Sequence, residues 1–286
     1  MPSPKSPDLL AEAKRRLGRL GRYARKRLGQ HFLVDDDVLQ KIVATAELAP
    51  GDTVIEVGPG LGVLTRGLAK RAGRVVAVEL DDVLAAALKK EMASFTNVAV
   101  INKDILKIDA ASLSGGKGYK VVANLPYYIT AAVLRHFLAA GPRPELMVLM
   151  LQKEVAESIT STGNAGLLAN SVRFYGRPSL VTVVPAASFY PPPKVDSAVL
   201  RIDVYPRPAL DVSDEGAFFG LLKAAFATRR KQLPNALAAG LGVDKTQVLA
   251  WLGAAAIEPQ RRAESLSLEE WGRLWRQYEA WKGRTL

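Results

Sequence analysis

Cysteine is absent from the 286-residue chain, which excludes disulfides, thiolate nucleophiles, iron–sulfur clusters and cysteine zinc sites in one step. Histidine occurs only at His31 and His136, so a histidine metal cluster is not expected and the chemistry should need no metal. The want of disulfides fits a reducing, cytoplasmic compartment. Long apolar runs are missing as well. None approaches the roughly 20 residues required to span a bilayer, so a soluble protein with no membrane partner is expected. The length suffices for one large domain and a smaller one.

Negative charge is the other scarcity, with 28 Asp/Glu against 39 Lys/Arg and a net charge of +11, which points to a polyanionic partner. The excess is uneven. Residues 1–30 hold nine Lys/Arg against Asp8 and Glu12, residues 31–200 hold 17 against 16, and residues 201–286 hold 13 against 10. The segment DLLAEAKRRLGRLGRYARKRL spaces its leucines for a helix with a basic opposite face. It reads either as a solvated helix or as an arm that meets RNA phosphates.

Beyond this arm, short β-branched runs alternate with helical patterns. TVIEV (53–57) enters a glycine loop and a helix; RVVAVE precedes a helix over 81–93; NVAVIN ends at Lys103-Asp104; YKVVAN runs into Leu125-Pro126; and a helix over 129–140 precedes ELMVLML. Continuous apolar strands between helices predict a parallel sheet buried on both faces, hence an α/β fold. Helices near 153–161 and 166–175 follow. SLVTVV and SAVLRIDV, separated by Pro191-Pro192-Pro193, then predict a closing antiparallel pair. Past Pro206 and Pro208 only helical periodicity remains. The expected division is a basic N-terminal helix or arm over 1–28, a sheet domain over 29–205 and a small all-helical domain over 206–286.

The glycine loop reads Glu56-Val57-Gly58-Pro59-Gly60-Leu61-Gly62, where a strand passes into a helix. Glycine lets the backbone approach a ligand closely. The spacing is GxGxG, with Val63 where the dinucleotide fingerprint has its third glycine. Glu79 ends the next strand, where a carboxylate can accept both ribose hydroxyl hydrogens or simply neighbour a helix N-cap. Asp104 ends the strand after that, within reach of an adenine amine. Together these three features predict an adenosyl ligand at the carboxyl edge of the sheet.

Asn124-Leu125-Pro126-Tyr127-Tyr128 ends the following strand. Asn124 could merely cap the next helix. Its side-chain oxygen and the carbonyl of Leu125 or Pro126 could instead accept the two hydrogens of an adenine N6 amine. The nitrogen would then become pyramidal, with its lone pair aimed at a methyl donor. Tyr127 could stack on the extruded base.

RKRLGQHFL, EVGPGLG, VVAVELD, NLPYYIT, FYPPPKVDSAVLRI and ATRRKQLPNAL occur in this order over roughly residues 22–275. In this the chain resembles the ribosomal RNA adenine N6,N6-dimethyltransferases, specifically the bacterial small-subunit enzyme. The resemblance implies a Rossmann-like class I methyltransferase fold and S-adenosylmethionine as cofactor. The implied partner is small-subunit ribosomal RNA or the immature small subunit, and the protein is expected to be a monomer. It also implies that Gln30, His31 and Leu33 close over the cofactor, with Gly58, Gly60, Glu79, Asp104 and Asn124 completing its pocket. Phe189 would stack on the target base opposite Tyr127, its alternative being a core residue at a strand end. Lys223, Arg229, Arg230 and Lys231, around Phe226 and Thr228, would contact RNA if they are more than a solvated charged face. The substrate implied is a pair of adjacent adenosines in the hairpin loop near the 3′ end of small-subunit rRNA. His31 stands where relatives often have Asn, which leaves open whether it meets the cofactor through its ring or its backbone.

Overall fold

The computed structural model describes residues 8–21, 29–161, 163–228 and 230–285. Arg229 therefore lies outside the described residues. The chain divides into two compact units, one of residues 1–156 and 178–204, the other of residues 157–177 and 205–286.

The first unit is built on the expected sheet. Its strands are β2 (Thr53–Val57), β3 (Arg74–Glu79), β4 (Val98–Asn102), β5 (Lys120–Asn124), β6 (Leu146–Gln152), β7 (Gly176–Val184) and β9 (Ser197–Val204), in the order β4-β3-β2-β5-β6-β9-β7. The first five are mutually parallel, and β9 runs antiparallel to β6 from Leu146↔Asp203 to Gln152↔Ser197. β2, β3 and β6 are buried almost end to end, as a sheet covered on both faces requires. The helices that follow the strands, α3 (Val63–Ala69), α4 (Asp82–Glu91), α5 (Ala110–Ser114) and α6 (Thr130–Ala139), place every strand-to-helix turn at the carboxyl edge.

Two pieces of this unit lie outside the alternation of strands and helices. A further helix, α2 (Asp36–Thr45), is capped by the Asp35 side chain and buries Leu39, Ile42 and Val43. Before it, β1 (Phe32–Leu33) pairs antiparallel with β8 (Phe189–Tyr190), in the register Phe32↔Tyr190 and Leu33↔Phe189. The Ser188 hydroxyl donates to Asp35 at 2.7 Å and the Val34 amide to the Ser188 carbonyl at 2.9 Å, which locks the pairing. GQHFL and FYPPP, more than 150 residues apart, thereby become one small ribbon.

The basic N-terminal segment forms α1 (Leu9–Arg19), capped by Asp8. It is not a solvated helix. Leu9, Ala13 and Leu17 are buried, the latter two in a cluster with Phe32, Leu61 and Leu84. Lys14, Arg15 and Arg19 are exposed outside that buried stripe.

The second unit holds α8 (Leu167–Tyr175), α9 (Glu215–Phe226), α10 (Leu233–Leu241), α11 (Lys245–Ala254) and α12 (Leu268–Thr285). The chain passes from the first unit into the second within α7 (Lys153–Thr160). Residues 157–177, expected within the sheet domain, thus group with the C-terminal helices. The reason is aromatic packing: Phe174 stacks on Phe218 at 5.1 Å, and the Tyr175 hydroxyl donates to Glu215 at 2.6 Å. The carbonyls of Phe174 and Tyr175 also accept from Ala209 and Tyr205, each at 2.8 Å. Buried Trp271 and Trp275 extend the same core.

Candidate functional site

A cavity at the carboxyl edge of the sheet is bordered by the glycine loop, Glu79, Asp104, Asn124 to Ile129, Gly29 to Leu33 and Phe189. It thus gathers every cofactor and acceptor residue expected from the sequence, all within the first unit.

The loop is held in one shape by its own geometry. Gly60 has φ +56° and Gly62 φ +74°, in the left-handed region that side-chain-bearing residues rarely occupy. A Cβ on Gly60 would lie 3.0 Å from the Phe32 ring, and one on Gly62 would strike Leu88 at 2.3 Å. Glu79 adds a cross-link invisible in the sequence. Its carboxylate accepts from the Gly60 amide at 3.0 Å and from the Asp81 amide at 2.8 Å, tying the first two strand ends together. Glu79 is 6% exposed, and burial raises its carboxyl above the usual carboxylate range. Asp104 caps the turn Ile105–Lys107 through a 3.0 Å bond from the Leu106 amide. Its backbone position is thereby fixed at the cavity wall.

The acceptor side is organised by contacts between distant segments. The Asn124 side-chain Nδ2 donates to the His31 carbonyl at 3.0 Å. The reverse orientation would set two oxygens against each other, so Oδ1 is the atom left to face a ligand. The Leu125 amide donates to the Met150 carbonyl at 3.0 Å and the Ile129 amide to the Pro126 carbonyl at 3.1 Å, which anchors both ends of the turn. Tyr127 is half-buried, its hydroxyl 2.7 Å from that of fully buried Ser197 and its ring 6.1 Å from the His31 ring at 24°. Burial raises the Tyr127 phenol further above its ordinary value. It is a fixed neutral ring and not a base.

His31 resolves into two functions. Its Nδ1 lies 2.7 Å from the Pro191 carbonyl, which can only accept, so Nδ1 carries the proton. Its backbone carbonyl serves Asn124. Leu33 and Phe189 are 6% and 3% exposed and share one core cluster, though both border the cavity. In the second unit Lys223, Arg230 and Lys231 are exposed, and the Lys231 amide donates to the Thr228 carbonyl at 3.1 Å.

Glu56 belongs to the glycine motif, but its residue type and spacing there suggest no role of its own. It is 1% exposed on β2, and its Oε2 has no hydrogen-bond partner among the described residues. Burial pushes its carboxyl up to about 8, with the Thr65 hydroxyl opposing and the Glu79 charge reinforcing the shift. A carboxyl whose folded pKa is raised holds its proton more tightly in the native state. Its contribution to stability is complete below pH about 4.5 and is lost as the pH rises to about 8. The melting temperature of Glu56→Gln should therefore gain on that of the wild type as the pH rises from about 4.5 to about 8. Parallel melting curves over that range would contradict the assignment.

The residues present fit an adenosyl sulfonium. The cavity offers a carboxylate for vicinal hydroxyls, a second carboxylate for an amine, apolar Leu80 and Ile105 beside them, and a glycine loop that a Cβ would obstruct. No group of three or more His, Asp or Glu able to hold a metal occurs among the described residues. No helix among them is long and apolar enough to cross a membrane.

Comparison with known proteins agrees. Residues 21–278 match the family described as ribosomal RNA adenine dimethylase. A ribosomal RNA small subunit methyltransferase A from Dehalococcoides mccartyi is 56% identical over 268 residues, covering 93% of this chain and 92% of the relative. One of the same name from Moorella thermoacetica is 45% identical over 262 residues, or 87% and 91%. Among solved structures, the 23S rRNA methyltransferase ErmE superposes with a TM-score of 0.70 at 29% identity, covering 87% of this chain and 99% of that one. A dimethyladenosine transferase from Plasmodium falciparum superposes at 0.75 and 24% identity, over 87% and 98%, and shares the fold.

Proposed function

Because the chain belongs to the ribosomal RNA adenine dimethylase family, we propose that it uses S-adenosylmethionine to dimethylate N6 of two adjacent adenosines in the 3′-terminal hairpin loop of small-subunit rRNA. The observation that carries this reading is the Asn124 amide, oriented by the His31 carbonyl so that its oxygen is the free acceptor beside the cofactor cavity.

The cofactor, when bound, supplies an electrophilic methyl on a sulfonium, a good leaving group. The protein's part is to place and polarise the amine. An exocyclic adenine amine is a weak nucleophile because its lone pair is delocalised into the ring. Asn124 Oδ1 accepts one N6 hydrogen. The carbonyl of Leu125 or Pro126 accepts the second, the latter keeping a lone pair beside its bond from Ile129. Two fixed acceptors favour a pyramidal nitrogen and require no strong base. Tyr127, braced by Ser197 and His31, offers the stacking face for the extruded base, with Phe189 bordering from the β1–β8 ribbon. Glu79 and Asp104 hold the ribose and the adenine amine of the cofactor, while Gln30, His31 and Leu33 form the near wall and Gly58 and Gly60 the floor.

Lys223, Arg230 and Lys231, exposed on the helical unit, are the proposed RNA contacts there. Replacing Lys223, Arg230 and Lys231 together by Ala should lower the slope of log affinity against log salt by about two to three, at roughly 0.9 or less for each phosphate no longer neutralised. Calorimetric affinity for S-adenosylmethionine should not change. A wild-type salt slope in the triple variant would remove these residues from the interface.

A second rRNA reading, methylation of large-subunit RNA as in the name of ErmE, separates from this one on substrate. Incubation of the protein and methyl-labelled cofactor with immature small subunits and with large-subunit RNA should label the small-subunit RNA. Label confined to large-subunit RNA would favour the activity named for ErmE. The 56% identity to the small-subunit relative, against 29% to ErmE, supports the first. The protein would then act on assembling subunits in the cytoplasm, as a monomer and without a metal.

A further inference from the structure

The geometry points to α1 as a strut behind the cofactor's glycine loop, with Arg16 a positioning residue that holds the loop in its binding shape. This inference rests on S-adenosylmethionine being the proposed cofactor.

The loop has three glycines in five positions, so its backbone carries unusual conformational freedom that must be removed if its shape is to be ready for a ligand. Its amides are restrained from the sheet side, where Gly58 donates to Val78 at 2.9 Å and Gly60 to Glu79 at 3.0 Å, and within the loop, where Gly62 donates to Pro59 at 2.9 Å. The start of α3 adds little, because its N-cap residue is Gly62, which has no side chain to cap with. Restraint on the opposite side comes from α1. The Arg16 guanidinium donates to the Leu61 carbonyl, and the Leu61 side chain packs with Ala13 and Leu17 of α1. Gly60 and Leu61 border the cofactor cavity on one face and a groove lined by Arg16, Arg19 and Leu20 on the other. The loop is therefore a thin partition with α1 behind it.

Arg16 is itself held. It pairs with Glu91 at the end of α4 and with Glu12 at 3.5 Å one turn back on α1. Arg66, in the last turn of α3, pairs with the same two carboxylates and reaches Glu12 at 2.9 Å. Two arginines and two glutamates thus tie α1 to both helices that follow the first two strands. All four side chains are between 18% and 29% exposed, so water screens them incompletely. A planar guanidinium can serve a carboxylate and a carbonyl at once, which an ammonium on a flexible stem does less well. Removing Arg16 leaves Glu12 and Glu91 paired to Arg66, so the loss falls mainly on the Leu61 carbonyl.

Calorimetry of the full chain with S-adenosylmethionine tests this, using the wild type, Arg16→Gln, Arg16→Lys and the exposed neighbour Arg15→Ala. Arg16→Gln should weaken cofactor binding on the order of tenfold, as expected for the loss of one hydrogen bond from a charged donor. Arg16→Lys should recover part of that, and Arg15→Ala should bind as the wild type does. Without cofactor, amide exchange in Arg16→Gln should quicken within residues 58–62, and the melting temperature should fall by a few degrees at most, as the loss of one hydrogen bond from a charged donor entails. In turnover the KM for cofactor should rise, with kcat and the KM for RNA unchanged. Wild-type cofactor affinity in Arg16→Gln, with or without a lower melting temperature, would overturn the inference. An effect of Arg16→Gln confined to the KM for RNA would do the same. If Arg16→Gln fails to fold, Arg16→Lys decides by the same readouts. A wild-type protein that does not bind S-adenosylmethionine would instead overturn the cofactor assignment.

Discussion

Asn124→Ala should lower the rate of methyl transfer by about a thousandfold, in line with the effect of removing one preorganised polar group from an active site. The size follows from geometry. Asn124 ends a central strand, Asn124↔Met150 being the last pair of β5 with β6, so its backbone is held without its side chain. The side chain is also anchored, with Nδ2 committed to His31 at 3.0 Å. An acceptor fixed in this way costs little reorganisation as the N6 nitrogen pyramidalises, and alanine offers no substitute. RNA affinity should fall by less than about threefold, because phosphate contacts dominate binding and lie elsewhere. Asn124→Asp is the informative companion. It restores an acceptor but sets a carboxylate against the His31 carbonyl, so rescue should be partial at best. Single-turnover methylation with both ligands saturating measures the chemical step directly.

Glu79→Ala should weaken S-adenosylmethionine binding by about a hundredfold, or roughly 2.7 kcal/mol. One carboxylate acts twice. It is the proposed acceptor for the ribose hydroxyls, and it already receives the amides of Gly60 and Asp81. Alanine removes the ligand contact and also leaves two partly buried N–H groups without their acceptor. Glu79→Gln separates these contributions. Its amide oxygen can keep one backbone bond, but its NH2 end opposes the other, so its affinity should fall between the two. Calorimetry on the three proteins measures the series. Equal affinity in all of them would exclude Glu79 from the cofactor site.

The parallel strands were legible because they are continuous apolar runs between helical patterns, as in RVVAVE and ELMVLML, and the closing pair because no helical pattern separates SLVTVV from SAVLRIDV. The glycine loop, Glu79, Asp104 and Asn124 were legible for a related reason: strand ends in such a sheet share one edge. What escaped detection was long-range or short. β1 and β8 have two residues each, too few for any period to register, yet they bring His31 and Phe189 to the cavity. The Asn124–His31 bond joins residues 93 apart, and no local pattern encodes it. The grouping of 157–177 with the C-terminal helices depends on Phe174 meeting Phe218, which sequence neighbours cannot reveal. For α1 the leucine spacing was visible but its partner was not. A buried stripe of Leu9, Ala13 and Leu17 looks the same in a sequence whether it meets RNA, water or the rest of the fold.

The central claim is that Asn124 and its turn direct the cofactor's methyl groups to adenine N6. It is tested most directly by mapping the labelled positions of small-subunit RNA in nuclease fragments after reaction with labelled cofactor and identifying the labelled nucleoside by co-elution with N6,N6-dimethyladenosine. Two adjacent N6,N6-dimethyladenosines per RNA with the wild type, and none with Asn124→Ala under the same conditions, is the predicted result. Dimethyladenosine formed at the wild-type rate by Asn124→Ala, or label on any atom other than adenine N6, would contradict it.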